Sequence, residues 1–105
     1  MHEYVVRYGL MHFQVPHKTS KLEALQKVKQ ALNDARPQME AHATIKEERW
    51  EGETLHFAAS VQGTTITGTL QVTDADFLID AQLPLLWRMF EGRIEKMIVE
   101  QVQQL

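Results

Sequence analysis

At 105 residues, with a formal net charge of −3 and no cysteine, the chain suits one domain spanning residues 1–105. The acidic balance excludes a dominant nucleic-acid surface, which needs a clustered positive field, and the missing cysteines exclude disulfides, thiol catalysis and cysteine-rich zinc sites. Met1-His2-Glu3 opens a mixed segment rather than an apolar leader, and no apolar run approaches the roughly 20 residues that cross a bilayer, so the expectation is a cytoplasmic protein without a membrane-spanning segment.

From Glu3 to Val15 the chain is rich in β-branched and aromatic residues, which predicts a first strand closed by Pro16. Val6, Tyr8 and Leu10 suit one face and Val5, Met11 and Phe13 the other, so either both faces are buried or a bulge near Gly9 shifts the phase. Thr19 or Ser20 then caps a helix, and Ser20 with Glu23 makes a capping-box pair that satisfies free backbone donors in its first turn. Leu25, Val28, Leu32 and Ala35 recur at helical spacing, with Ala24 and Ala31 at the margin, while Lys21, Gln26, Lys27, Gln30 and Asp34 face water. Pro37 disfavours helical geometry at Arg36, which places the helix end there, with a brief restart through Gln38 and Met39 as the alternative.

Ala41–Trp50 reads as the second strand. Ile45 and Trp50 cannot share a face under strict alternation, leaving two solutions: Trp50 lies past a bulge, or it covers the sheet edge. Trp50 to Leu83 is then a meander. Leu55, Phe57, Ala59 and Val61 share one face of a strand, and Ile66, Gly68, Leu70 and Val72 share one face of the next, opposite a row of threonines. A third run aligns Phe77, Ile79 and Ala81, and its turn, like that at Gln62-Gly63, is too short for anything but antiparallel neighbours. From Pro84 the period becomes helical, with Leu86, Trp87, Phe90, Ile94, Met97, Ile98 and Leu105 on a core stripe. The predicted fold is α+β: a mostly antiparallel sheet of about five strands with two helices on one face, in the order β-α-β-β-β-β-α.

No reactive constellation stands out. The histidines, His2, His12, His17, His42 and His56, lack the close spacing that converges on zinc, and only His12 with His56 invites inspection, both being on predicted strands. Glu47, Glu48, Glu51 and Glu53 flank an exposed hairpin, where solvation removes the pKa separation that acid–base pairs need. Ser20 and Ser60 have no nucleophile-elbow context, and no glycine-rich phosphate loop exists. The expectation is therefore a non-enzyme with no catalytic residues, no metal site and no cofactor. Leu85, Met89, Gly92 and Val99 form a second, sparser stripe on the last helix, which is the expected partner-binding surface for a protein partner, a second copy in a homodimer, or an apolar surface.

Three groups of residues, Trp50-x-Gly52-x-x-Leu55-x-Phe57, Gly63-x-x-Ile66-x-Gly68-x-Leu70-x-Val72, and Leu83-Pro84-x-Leu86-x-x-x-Phe90-x-x-x-Ile94-Glu95-x-x-Ile98, follow one another at characteristic spacing. In these the chain resembles a small bacterial family, the polyhydroxyalkanoic acid system or granule-region proteins, from about Val5 to the C-terminus. The resemblance implies an association with storage of polyhydroxyalkanoate polyesters and brings no catalytic residue with it. The leading expectation is an accessory protein of that storage, binding a protein partner or the granule surface. The alternative is a carrier of a small apolar ligand, with a helix-grip-like pocket between the sheet and the C-terminal helix, which a core lacking any cavity of about 300 Å³ would exclude. An enzyme would need a converging polar cluster.

Overall fold

A computed structural model describes residues 8–84 and 91–104. The order is β1 (Tyr8–Pro16), α1 (Lys21–His42), β2 (Thr44–Glu51), β3 (Thr54–Val61), β4 (Thr64–Val72), β5 (Asp76–Pro84) and α2 (Glu91–Gln103). The strands form one antiparallel five-stranded sheet in the order β1-β5-β4-β3-β2, so the fold is α+β with the predicted succession of elements.

The register gathers the apolar residues of every strand on one face. Val15, Phe13 and Met11 lie opposite Phe77, Ile79 and Ala81, which meet Val72, Leu70 and Gly68 on β4. These in turn continue to Leu55 and Phe57 on β3. On β1 the alternation is regular, with Met11, Phe13 and Val15 buried and Leu10, His12 and Gln14 exposed, so one face of the strand is core and the other is open. On β2 the pairing slips between Ile45 and Glu47, and this bulge at Lys46 brings Ile45, Glu48 and Trp50 onto the same inner face. The bulge is thus the solution for Trp50, which packs beneath α1 with Lys29 4.9 Å above its ring.

A tight turn joins β3 to β4. Gln62 and Gly63, with φ of 51° and 79°, supply the paired left-handed residues that match hairpin twist. Gly68 makes room within the sheet itself. An added Cβ there would overlap the Asp80 carbonyl and sit 2.6 Å from Cζ of Phe57, whose ring lies across the glycine from the neighbouring strand.

The N-cap of α1 is Ser20, whose hydroxyl accepts from the Glu23 amide at 3.2 Å. The helix runs unbroken through Pro37 to His42, further than the break expected at Arg36, and β2 accordingly begins at Thr44 rather than Ala41. Pro37 is exposed near the C-terminal end, so the Asn33 carbonyl it leaves without a helical donor lies close to water, and Arg36 binds Glu48 of β2 at 2.5 Å, which holds the following turn down. Because β1 and β2 are opposite edges, α1 must carry the chain across the sheet. At 22 residues it spans about 33 Å against a sheet roughly 19 Å wide.

The core has two centres. One joins Met11, Phe13, Ala81 and Leu83, with Ile98 of α2 packed against it; the other joins Ala24 and Val28 of α1 with Val72 and Phe77, and Val102 of α2 completes it. Both helices therefore lie on the same face, α1 toward β2 and β4 and α2 over β1 and β5. Pro84 ends β5 instead of opening a helix, and α2 is described from Glu91. Of the predicted core stripe, Leu86, Trp87, Phe90, the Ile94 side chain and Leu105 lie outside the described residues.

The Gly68→Ala variant should lose about 1–3 kcal/mol of stability through overpacking against Phe57 and the β5 backbone, read as a lower urea midpoint at unchanged slope. Pro37→Ala restores one helical hydrogen bond and should raise stability by about 1 kcal/mol, read as a higher melting temperature.

Candidate functional site

Among the described residues, Ile98 and Val102 join α2 to the core. Ile98 and Val102, four residues apart and so stacked on one face, point at the sheet. Val102 belongs to that face although it was absent from the predicted stripe; its i, i+4 spacing from Ile98 was the available signal. Met97, predicted to be core, is instead 54% exposed on the flank facing α1. On the other flank Val99 is half-buried and Gly92 is exposed, with open space around the position of a Cβ. These last two are seven residues apart on the helix, and Leu85 and Met89 of the same expected surface lie outside the described residues.

Two clefts lie between α2 and α1. The larger, about 560 Å³, opens near the start of α1 and has an apolar floor of Val15, Ala24, Phe77, Val99 and Val102. Its rim is polar, with Lys18, Thr19, Lys27 and Gln103. His17, also on the rim, is committed to the fold. Its Nε2 lies 2.7 Å from the Thr73 carbonyl and its Nδ1 3.4 Å from the Thr19 amide, which assigns Nε2–H as donor and Nδ1 as acceptor, and its ring leans on Phe77 at 5.1 Å. The second cleft, about 370 Å³, runs between the helices over Leu70 and Ile79 and is walled by Val28, Leu32, Ala35, Met97 and Ile98. Both exceed the threshold of about 300 Å³ set for a ligand-sized cavity.

The opposite face of the sheet carries the polar groups. One rung crosses all five strands: His12, Asp80, Thr69, His56 and Arg49 lie directly opposite one another in turn. His12 Nδ1 is 2.6 Å from Asp80 Oδ1, and His56 Nε2 is 3.5 Å from Glu51 Oε2. The two histidines are three strand spacings apart, about 14 Å, too far to share an ion. Among the described residues no group of three or more His, Asp or Glu side chains could hold a metal. The hairpin carboxylates are dispersed: Glu47 and Glu51 flank Arg49, Glu48 binds Arg36 on the other face, and Glu53 binds Lys21 at 3.3 Å. All these pairs are partly exposed, where each contributes under about 1 kcal/mol.

A family model described as putative polyhydroxyalkanoic acid system protein matches residues 11–105. The chain belongs to that family. No curated protein and no solved structure matches. The motif residues Trp50, Phe57, Gly68, Leu70 and Val72 all lie on the inner face, so what characterises this member of the polyhydroxyalkanoic acid system family from β2 to β4 is its packing. Among the described residues no helix is long and apolar enough to cross a membrane.

Separate flanks of α2 predict separable effects. Val102→Ala should cost about 1–3 kcal/mol, whereas Gly92→Ala, in open space, should add up to about 1 kcal/mol through helix propensity, both measured by thermal and urea unfolding.

Proposed function

We propose that this protein is a non-enzymatic, cytoplasmic accessory protein of polyhydroxyalkanoate storage that binds a protein partner or the granule surface through α2. The observation that carries the reading is the open apolar seam beside that helix, where Met97 is 54% exposed above a cleft walled almost wholly by hydrocarbon. An apolar surface of this kind gains free energy when covered, at about 25 cal/mol per Å² removed from water. Membership of the family supplies the storage context. Among the described residues the polar groups of the open face lie along a rung, where Glu47, His56, Thr69 and Asp80 line a shallow groove of about 340 Å³.

A fluorescent fusion should co-localise with granules in a polymer-accumulating host, and Met97→Glu should release it while leaving the melting temperature within a few degrees. Diffuse fluorescence in both fed and starved cells would reject the reading.

A second reading, carriage of a small apolar ligand, is favoured by the 560 Å³ cleft, whose size falls in the ordinary range of ligand sites. Under it, an environment-sensitive apolar dye should bind with one-to-one stoichiometry and be lost in Val99→Trp, which fills the cleft. Unaltered dye binding in that variant would place the dye elsewhere.

A further inference from the structure

The two clefts beside α2 adjoin: Phe77 and Val102 line both, so they form one trough between the helices. Its two ends differ in chemistry. Along the seam over Leu70 and Ile79 the walls are hydrocarbon, with the Met97 thioether and the Gln101 amide as the exceptions. At the mouth stand Lys18, on the link from β1 to α1, and Lys27, with the Thr19 hydroxyl and the Gln103 amide, and none of the lining residues is a carboxylate. That selection runs against the balance of a chain with 14 acidic and 11 basic residues. The groove beside Trp50, by contrast, includes Glu48, and the groove on the open face includes Glu47 and Asp80.

The helical period explains how the lysine reaches this place. Lys27, Ala31 and Ala35 recur every fourth residue and so form one row on α1, in which Ala31 and Ala35 wall the seam and Lys27 the mouth. The mouth lies at the Pro16–Asp76 end of the β1–β5 pair, opposite the Tyr8–Pro84 end at which the described residues of both strands stop. Beneath it Val15, Ala24 and Phe77 are buried, which gives the trough a fixed apolar floor. His17 adds no polar group to the mouth, because its two ring nitrogens are engaged by the Thr73 carbonyl and the Thr19 amide.

We infer that the trough binds a single-chain monocarboxylate of about ten carbons, its carboxylate at Lys18 and Lys27 and its alkyl chain along the seam. Length comes from α1: Lys27 to Ala35 spans about 12 Å along the helix axis, and an extended alkyl chain advances about 1.25 Å per carbon. Charge sets the head group. Glu23 lies 3.7 Å from the Lys27 ammonium, so two lysines and one carboxylate leave the mouth, among the described residues, with a net charge of about +1, which matches a monoanion. The inference rests on the carriage reading and names the ligand class for it.

Displacement of an environment-sensitive apolar dye from the full chain, with each probe below its micelle concentration, tests the assignment. Decanoate should bind about tenfold or more tighter than decyltrimethylammonium, which presents the wrong charge to the same mouth. From hexanoate to decanoate the affinity should rise about fourfold per methylene, and Ala31→Phe, which narrows the seam, should abolish the gain beyond octanoate. Lys18→Gln with Lys27→Gln should weaken decanoate about fivefold while leaving decanol within about twofold, and Lys29→Gln, above Trp50, should change neither. Without any substitution, decanoate but not decanol should weaken between about 0.01 M and 1 M salt, where the screening length falls from about 30 Å to about 3 Å. If neither decanol nor decanoate displaces the dye, the carriage reading falls and this inference with it. If decanol binds but decanoate is no tighter than decyltrimethylammonium, insensitive to salt, or unmoved by the lysine substitutions, the anionic head is wrong while carriage stands. A chain-length gain untouched by Ala31→Phe would overturn the placement of the tail.

Discussion

The structure depends on the pairing of β1 with β5. Strands β2 to β5 are joined by tight turns and would find their neighbours locally, but β1 is placed by contacts between residues far apart in the sequence, such as Met11 with Ala81 and Val15 with Phe77. Once β1 is added beside β5, it and β2 become opposite edges, and the segment between them has to traverse the sheet. That requirement explains a helix of 22 residues that continues through a proline. It also puts α1 and α2 on one face, because the inner residues of all five strands are the only apolar surface that either can bury.

From this arrangement comes the uneven covering of the sheet. Helix α1 is tied to β2 by Arg36 and Glu48, and its Ala24 and Val28 are buried against Val72 and Phe77. Helix α2 is held chiefly by Ile98 and Val102, one against each core centre. Space remains beside α2, as the clefts of about 560 and 370 Å³ between it and α1. The open face has the opposite character: threonines, a His12–Asp80 pair and side chains half in water.

Much of this was legible in the chain. Alternation in Leu55–Val61 and Ile66–Val72 assigned the inner face, because one residue of slip would turn every apolar side chain to water. Ser20 and Glu23 marked the start of α1 through local hydrogen bonding alone. Pro37 misled, since a proline breaks a helix only when its context cannot absorb one missing bond, and here an exposed position and the Arg36–Glu48 contact do so. Met97 misled as well, because helical periodicity gives the centre of a buried stripe but not its width, which depends on how far the sheet extends beneath it.

By itself, then, the sequence determined the order of elements, the inner face of each meander strand and the cap of α1, which follow from local propensity, period and spacing, and it carried the resemblance to the family. Only the tertiary structure decided that Trp50 lies past a bulge, that Gly68 makes room for Phe57, that His12 and His56 lie three strands apart, and that β1 and β2 are the two edges of the sheet. Each of these is a relation between residues distant in the chain, set by strand order and register, and no period read along a single segment contains it.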